Sequence, residues 1–186
     1  MRKVILLTTV VLSAFGCGED DASDEHGQHG DGTGQHGGDA PIAEVTLAAK
    51  SGNATLAGTA TFEGDKGSVK VTVDVTGAPA GEHGVHIHET GDCSAPDAMS
   101  AGGHWNPTMQ MHGMAGGSSH LGDLGNLTIA ADGKGTLTLT NPAWEIGTGG
   151  ANDVVGKALV VHAMADDFAT QPTGNSGGRI GCGVIE

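Results

Sequence analysis

Three observations make an all-β domain, an antiparallel sandwich or barrel, the fold class this sequence predicts. Val69, Val71, Val73 and Val75 alternate with Lys70, Thr72 and Asp74 in a strict period of two, turning one strand face inward and the other to water. Short apolar runs recur between Gly, Asn and Asp residues, and Asp132-Gly133 stands between two of them as a hairpin signal. No amphipathic stretch of about ten residues or more interrupts the pattern.

Composition bounds the rest. The chain has 186 residues, is 37% hydrophobic and carries a net charge of −14, so one compact core with an appendage is expected and nucleic acid is excluded as a partner. Six basic against fifteen acidic residues in 42–186 leave that region acidic too. An anionic substrate would have to be drawn in by a local field. Ten His are the anomaly.

From the N-terminus, Arg2 and Lys3 precede the apolar run Val4 to Phe15, the length of a signal-peptide core and too short for a permanent span. Residues 1–17 are therefore expected to direct export to the periplasm or cell envelope. Ala14-Phe15-Gly16-Cys17 resembles a bacterial lipobox, with Ala14 where Leu is usual, so lipid on Cys17 and a plain secretory signal both stand. A lipid there would be the one attachment to a membrane. If Cys17 carries lipid, Cys93 and Cys182 remain as a pair in an oxidising compartment. Residues 18–41 contain no Val, Leu, Ile or aromatic residue and cannot offset the entropy of ordering, so they read as a tether. Its His26, His29 and His36 lie among acids, a composition that suits either a solvated linker or loose metal collection.

Strands are expected at Ile42 to Ala49, Ala54 to Phe62, Val69 to Val75, Leu127 to Ala130, Thr136 to Thr140 and Ala158 to Val161. Residues 91–122 and 163–178, rich in Gly, Ser, Asp and Pro, are too long for turns and read as functional loops. His86-Ile87-His88 projects two imidazoles to one side of a strand. His104, His112, His120 and Asp123 follow in and after the first loop, and His162 stands at the mouth of the second. Trp105 and Trp144 are expected to be packing residues.

GEHGVHIHETGDCSAPDAMSAGGHWNP (Gly81 to Pro107), HLGDLGN (His120 to Asn126), LVVHAMADD (Leu159 to Asp167) and GNSGGRIGCGVI (Gly174 to Ile185) together resemble copper,zinc superoxide dismutase in its exported bacterial form, over essentially all of 42–186. The resemblance implies a Greek-key β-sandwich or barrel, copper and zinc as cofactors, and dismutation of superoxide to oxygen and hydrogen peroxide by copper cycling between Cu(II) and Cu(I). It implies His86, His88, His104 and His162 as copper ligands and His104, His112, His120 and Asp123 as zinc ligands, His104 bridging the two and carrying a proton. Asp166 would link a copper-ligand ring to a zinc-ligand ring, and His83 would support the site without binding metal. Cys93 and Cys182 would form the disulfide, Thr173 would line the channel, and Arg179, the only Arg after Arg2, would hold the anion.

Between His162 and Arg179 there is no Lys, so the steering charges of cytosolic members are missing, and Lys66, Lys70, Lys134 and Lys157 have no assigned place. Met109, Met111 and Met114 surround His112; thioethers favour Cu(I), while flexible gap filling is the commoner use of Met. The competing reading is a copper- and zinc-buffering envelope lipoprotein with little turnover. A copper chaperone is disfavoured by the absence of a CxxC pair. Monomer and homodimer are both compatible with the sequence.

Overall fold

The computed structural model describes residues 40–186. The segment 1–17 with Cys17, and the tether with His26, His29 and His36 up to residue 39, lie outside the described residues. Eight strands form among the described residues: β1 Ile42–Ala49, β2 Ala57–Asp65, β3 Ser68–Thr76, β4 Gly81–His88, β5 Asp123–Ile129, β6 Lys134–Asn141, β7 Ala158–His162 and β8 Arg179–Val184. They pair antiparallel in the order β5-β4-β7-β8-β1-β2-β3-β6, so the chain crosses over in Greek-key fashion and the two edge strands, β5 and β6, meet to nearly close a barrel. The all-β expectation holds.

The valine alternation of β3 puts Val69, Val71, Val73 and Val75 into a core with Phe62, Leu47, Val85, Ile87, Leu127, Leu159 and Ile185. Trp105 and Trp144 are buried there too, and the Trp144 indole N–H donates to Leu121 O at 2.9 Å. Hairpin β2–β3 turns at Lys66-Gly67, both at positive φ. The Asp132-Gly133 turn forms as predicted, with Ala130 N–H bonded to Lys134 O, yet it joins the sheet's two edges instead of a paired hairpin. It is the seam of the barrel.

Two strands begin three or more residues from where the alternation suggests. β2 starts at Ala57 because Asn53 Oδ1 accepts from both Thr55 N–H and Thr55 Oγ1–H, holding 53–55 in a turn. β5 starts at Asp123, four residues early, because Asp123 to Asn126 pair with β4 across a bulge at Val85/His86, with Gly125 at φ 101. In sequence, Gly125-Asn126 looks like a breaker. The disulfide Cys93–Cys182, with Cα atoms 5.8 Å apart, ties the loop after β4 to β8.

Candidate metal centre

Strand alternation creates the centre. Val85 and Ile87 of β4 enter the barrel core, so His86 and His88 point to the opposite face, beneath the two long loops. β4 pairs with β7, whose last residue is His162. The first loop is laid onto β4 by a backbone relay: Trp105 N–H donates to Ile87 O, Gly122 N–H to Trp105 O and Ile87 N–H to Gly122 O, all at 2.8–2.9 Å. That brings His104 and His120, at the two ends of this segment, beside the β4 histidines.

His86, His88, His104 and His162 each offer a ring nitrogen, all within 4.8 Å of one another and all buried. Their outward nitrogens determine the tautomers. His86 Nε2 faces Asp166 Oδ2 at 2.9 Å, His88 Nδ1 faces Gly102 O at 2.9 Å and His162 Nδ1 faces Gly177 O at 3.3 Å. Acceptors on that side demand N–H there, leaving lone pairs on His86 Nδ1, His88 Nε2 and His162 Nε2. His86 Nδ1 and His104 Nε2 have no hydrogen-bond partner, and His88 Nε2 lies 3.4 Å from His162 Nε2, lone pair toward lone pair. Burial keeps these rings neutral, lowering His86 to about 4, His88 to about 2 and His162 to about 3. Four imidazoles converging on one point, three of them held neutral by burial, fit a copper ion.

The other face of His104 belongs to a second set. Asp123 Oδ1 is approached by His104 Nδ1 at 3.1 Å, His112 Nδ1 at 3.0 Å and His120 Nδ1 at 3.3 Å. Donor atoms of a tetrahedral zinc site with bonds near 2.0–2.1 Å stand roughly 3.3 Å apart, so the spacing fits a zinc ion. His120 Nδ1 has no hydrogen-bond partner, and burial lowers its pKa. Burial raises the Asp123 pKa, but the hydrogen bonds from His104 and Gly113 N–H outweigh it, so the carboxylate is held below its usual range. His86 lies close to this set as well, but its Nε2 is engaged by Asp166.

Asp166 joins the two sets, accepting from His86 Nε2 on Oδ2 and from His112 Nε2 on Oδ1 at 2.8 Å. Burial opposes its ionisation, yet these bonds and Phe168 N–H bring its pKa to about 2. His83 stands behind the centre, Nδ1 on His162 O at 2.8 Å and Nε2 on Pro79 O at 2.9 Å. It belongs to neither donor set.

A cleft of 460 Å³ opens over His162, lined by Ser51, Asp97, Met99, Thr173, Gly177, Gly178 and Arg179. The Arg179 guanidinium donates from Nη1 to Ala98 O at 2.6 Å and from Nη2 to Gly102 O at 2.7 Å, so two loop carbonyls aim it. Burial lowers its pKa somewhat, with Asp97 opposing. Among the described residues Arg179 is the one cation lining the cleft. Lys70 pairs with Glu63 on the outer sheet, and Lys157 lies over the Trp105 ring.

The structure also supplies residues that motif reading passes over. Gly174, at φ 65, is where a Cβ would overlap Asp166 Oδ1 and come within 2.5 Å of His112 Nε2. Asn126 exchanges two hydrogen bonds with the Asp166 backbone, and Gln171 exchanges two with the His112 backbone, fastening the second loop to the first. Only Gly-Asn at 174–175 carries a local signal, since positive φ favours it. Met109, Met111 and Met114 are exposed, so they fill no gap, contrary to the commoner expectation.

Two overlapping groups of buried donors, one of four imidazoles and one of imidazoles with a carboxylate, on a nearly closed antiparallel barrel, define a metal-binding protein. Residues 56–185 match the family model described as copper/zinc superoxide dismutase (SODC). A Cu-Zn superoxide dismutase of Deinococcus radiodurans is 39% identical over 159 residues, covering 78% of this chain and 85% of its own. Among solved structures, the clock protein EA4 superposes with a TM-score of 0.69 at 35% identity, covering 78% of this chain and 94% of its own. A double mutant of a SOD-like protein from Bacillus subtilis superposes with a TM-score of 0.67 at 36% identity, covering 76% and 95%. The chain belongs to the copper/zinc superoxide dismutase family, and copper and zinc are its metals.

Proposed function

We propose that this superoxide dismutase would hold copper by His86, His88, His104 and His162 and zinc by His104, His112, His120 and Asp123, with His104 belonging to both sets. The observation that carries the reading is His104 itself: Nδ1 stands among the Asp123 set while Nε2, buried and unpartnered, faces the other three imidazoles. Copper bound there supplies one-electron redox chemistry between Cu(II) and Cu(I), and zinc supplies a fixed positive charge with no redox chemistry.

The chain's residues do the rest. Arg179, immobilised by two carbonyls, offers its remaining N–H groups to superoxide in the cleft and focuses a positive field inside an acidic protein. Thr173 forms the wall beside it. The disulfide fastens the loop bearing Ala98 and Gly102 to the strand that Arg179 begins, so it holds the guanidinium's acceptors in place. Asp166 fixes the tautomers of His86 and His112 by accepting hydrogen bonds from their Nε2–H groups. His104 Nε2, buried and without a hydrogen-bond partner, would be a copper donor and, when free of the ion, the place to hold a proton for the product.

Zinc and copper reconstitution of the purified protein, with metal analysis alongside a superoxide-decay assay, tests this. Two bound metals and rapid decay are expected. Full loading with decay at the spontaneous rate would convert the reading into metal storage. The same reading takes residues 1–17 as an export signal and Cys17 as the lipid-bearing N-terminus in the envelope, which labelling with a radioactive fatty acid tests. His26, His29 and His36 would gather metal for the domain. A chain shortened by the tether that fills as well at scarce metal removes that role.

A further inference from the structure

Every methionine among the described residues lies at the surface: Met99, Met109, Met111, Met114 and Met164 are 62, 89, 64, 65 and 48% exposed. Packing explains none of them. One of the five lines the cleft over His162, and a second lies against one of its wall residues. Met99 lines it, and Met164 lies across Gly177, another wall residue, with Cε 3.0 Å from the place of a Cβ there. Their backbones are held by hydrogen bonds while their side chains are exposed. Met99 N–H donates to Asp97 Oδ1 at 3.1 Å; Met164 N–H donates to Ser176 O and its carbonyl accepts from Gly84 N–H, each at 2.9 Å.

The same cleft presents an electrostatic conflict. Arg179 favours an incoming anion and therefore opposes an incoming metal cation, a divalent ion twice as strongly as a monovalent one. Cu(I) meets only half the repulsion that Cu(II) does, and a thioether is a neutral, soft ligand selective for it. We propose that Met99 and Met164 form a transient Cu(I) portal at the cleft mouth, from which the ion passes to His162 and its three partner histidines. The portal rests on the copper-ligand reading above. Transfer is ligand exchange: a sulfur–copper bond breaks as an imidazole–copper bond forms, and the oxidation state is unchanged. No proton has to leave, because the hydrogen bonds at Nδ1 already leave His162 Nε2 and His88 Nε2 with lone pairs.

The test uses the full chain loaded with zinc and free of copper, its methionines labelled with methyl carbon-13, under anaerobic conditions. Copper is offered either as the Cu(I)–bicinchoninate complex or as a Cu(II)–amino acid chelate. The Met99 and Met164 methyl resonances should shift together before the histidine resonances do. The double variant M99L/M164L, which keeps side-chain volume, should fill with Cu(I) about tenfold more slowly. Its Cu(II) filling rate and final copper content should match the parent, and M109L/M111L/M114L should fill like the parent with both ions. Unmoved Met99 and Met164 methyl groups, or parental Cu(I) filling in M99L/M164L, overturn the portal alone. A parent protein that takes no copper onto the four histidines overturns the ligand assignment and the portal with it.

Discussion

Replacing Gly174 with Ala disturbs the centre without removing a ligand. At φ 65 an alanine costs about 1 kcal/mol over glycine, and its Cβ would occupy the space of Asp166 Oδ1 and crowd His112 Nε2. The loop cannot easily back away, since Gly174 N–H is bonded to Thr170 O at 2.7 Å and Gly174 O accepts from Asp167 N–H at 2.9 Å. Asp166 must then give up its bonds to His86 and His112, each charge-assisted and worth about 1.5–3 kcal/mol. Together the losses come to roughly 4–7 kcal/mol before any relaxation. Freed of Asp166, both rings can turn, so zinc affinity should fall about 10–100-fold. Competition against a zinc chelator measures that, and the Cu(II) paramagnetic resonance spectrum reports whether His86 has reoriented. Gly174→Ala with parental zinc affinity and an unchanged spectrum would refute the idea that the carboxylate link orders the centre.

Other consequences follow from the same geometry. Arg179→Glu should sharply lower turnover at low salt with metal content unchanged, measured as rate against ionic strength; equal turnover would place the attraction elsewhere. Removing the disulfide in Cys93→Ser/Cys182→Ser should cost about 4 kcal/mol in denaturant unfolding and loosen the Arg179 acceptors. Acid should destabilise the metal-free protein. His86, His88 and His162 have pKa values of about 4, 2 and 3 in the fold against 6.5 unfolded, so below pH 6.5 the unfolded chain binds protons the fold refuses. Stability should fall from pH 6.5 toward 4 with a limiting slope of roughly 4 kcal/mol per pH unit, and Asp166, held at about 2 against 3.8, extends the loss further down. Urea titrations across that range would show it; a flat profile would contradict neutral burial of the rings.

Much of the centre is legible in the chain because its chemistry is local. His86-Ile87-His88 declares two imidazoles on one strand face, and His120 with Asp123 declares an imidazole and a carboxylate one turn apart. β3 shows itself through valine alternation. β8 does not, because Gly181 and Gly183 leave no period to read. β5 hides its first four residues because bulged pairing with β4 overrides the breaker character of Gly125-Asn126. Gly174, Asn126 and Gln171 escape notice because their importance lies in what stands opposite them, 40 or more residues away for Asn126 and Gln171.

Residue order by itself determines which donor atoms exist, which strand face each β4 histidine takes, and that one arginine stands between the second loop and the final strand. Those are consequences of side-chain chemistry and of the two-residue strand repeat. Only the folded barrel decides which nitrogen of each ring is free. That choice depends on carbonyls and carboxylates brought from distant segments, Gly102 to His88, Gly177 to His162 and Asp166 to both His86 and His112. A hydrogen bond on one side of an imidazole sets where its lone pair points on the other, and that geometry has no trace in sequence spacing.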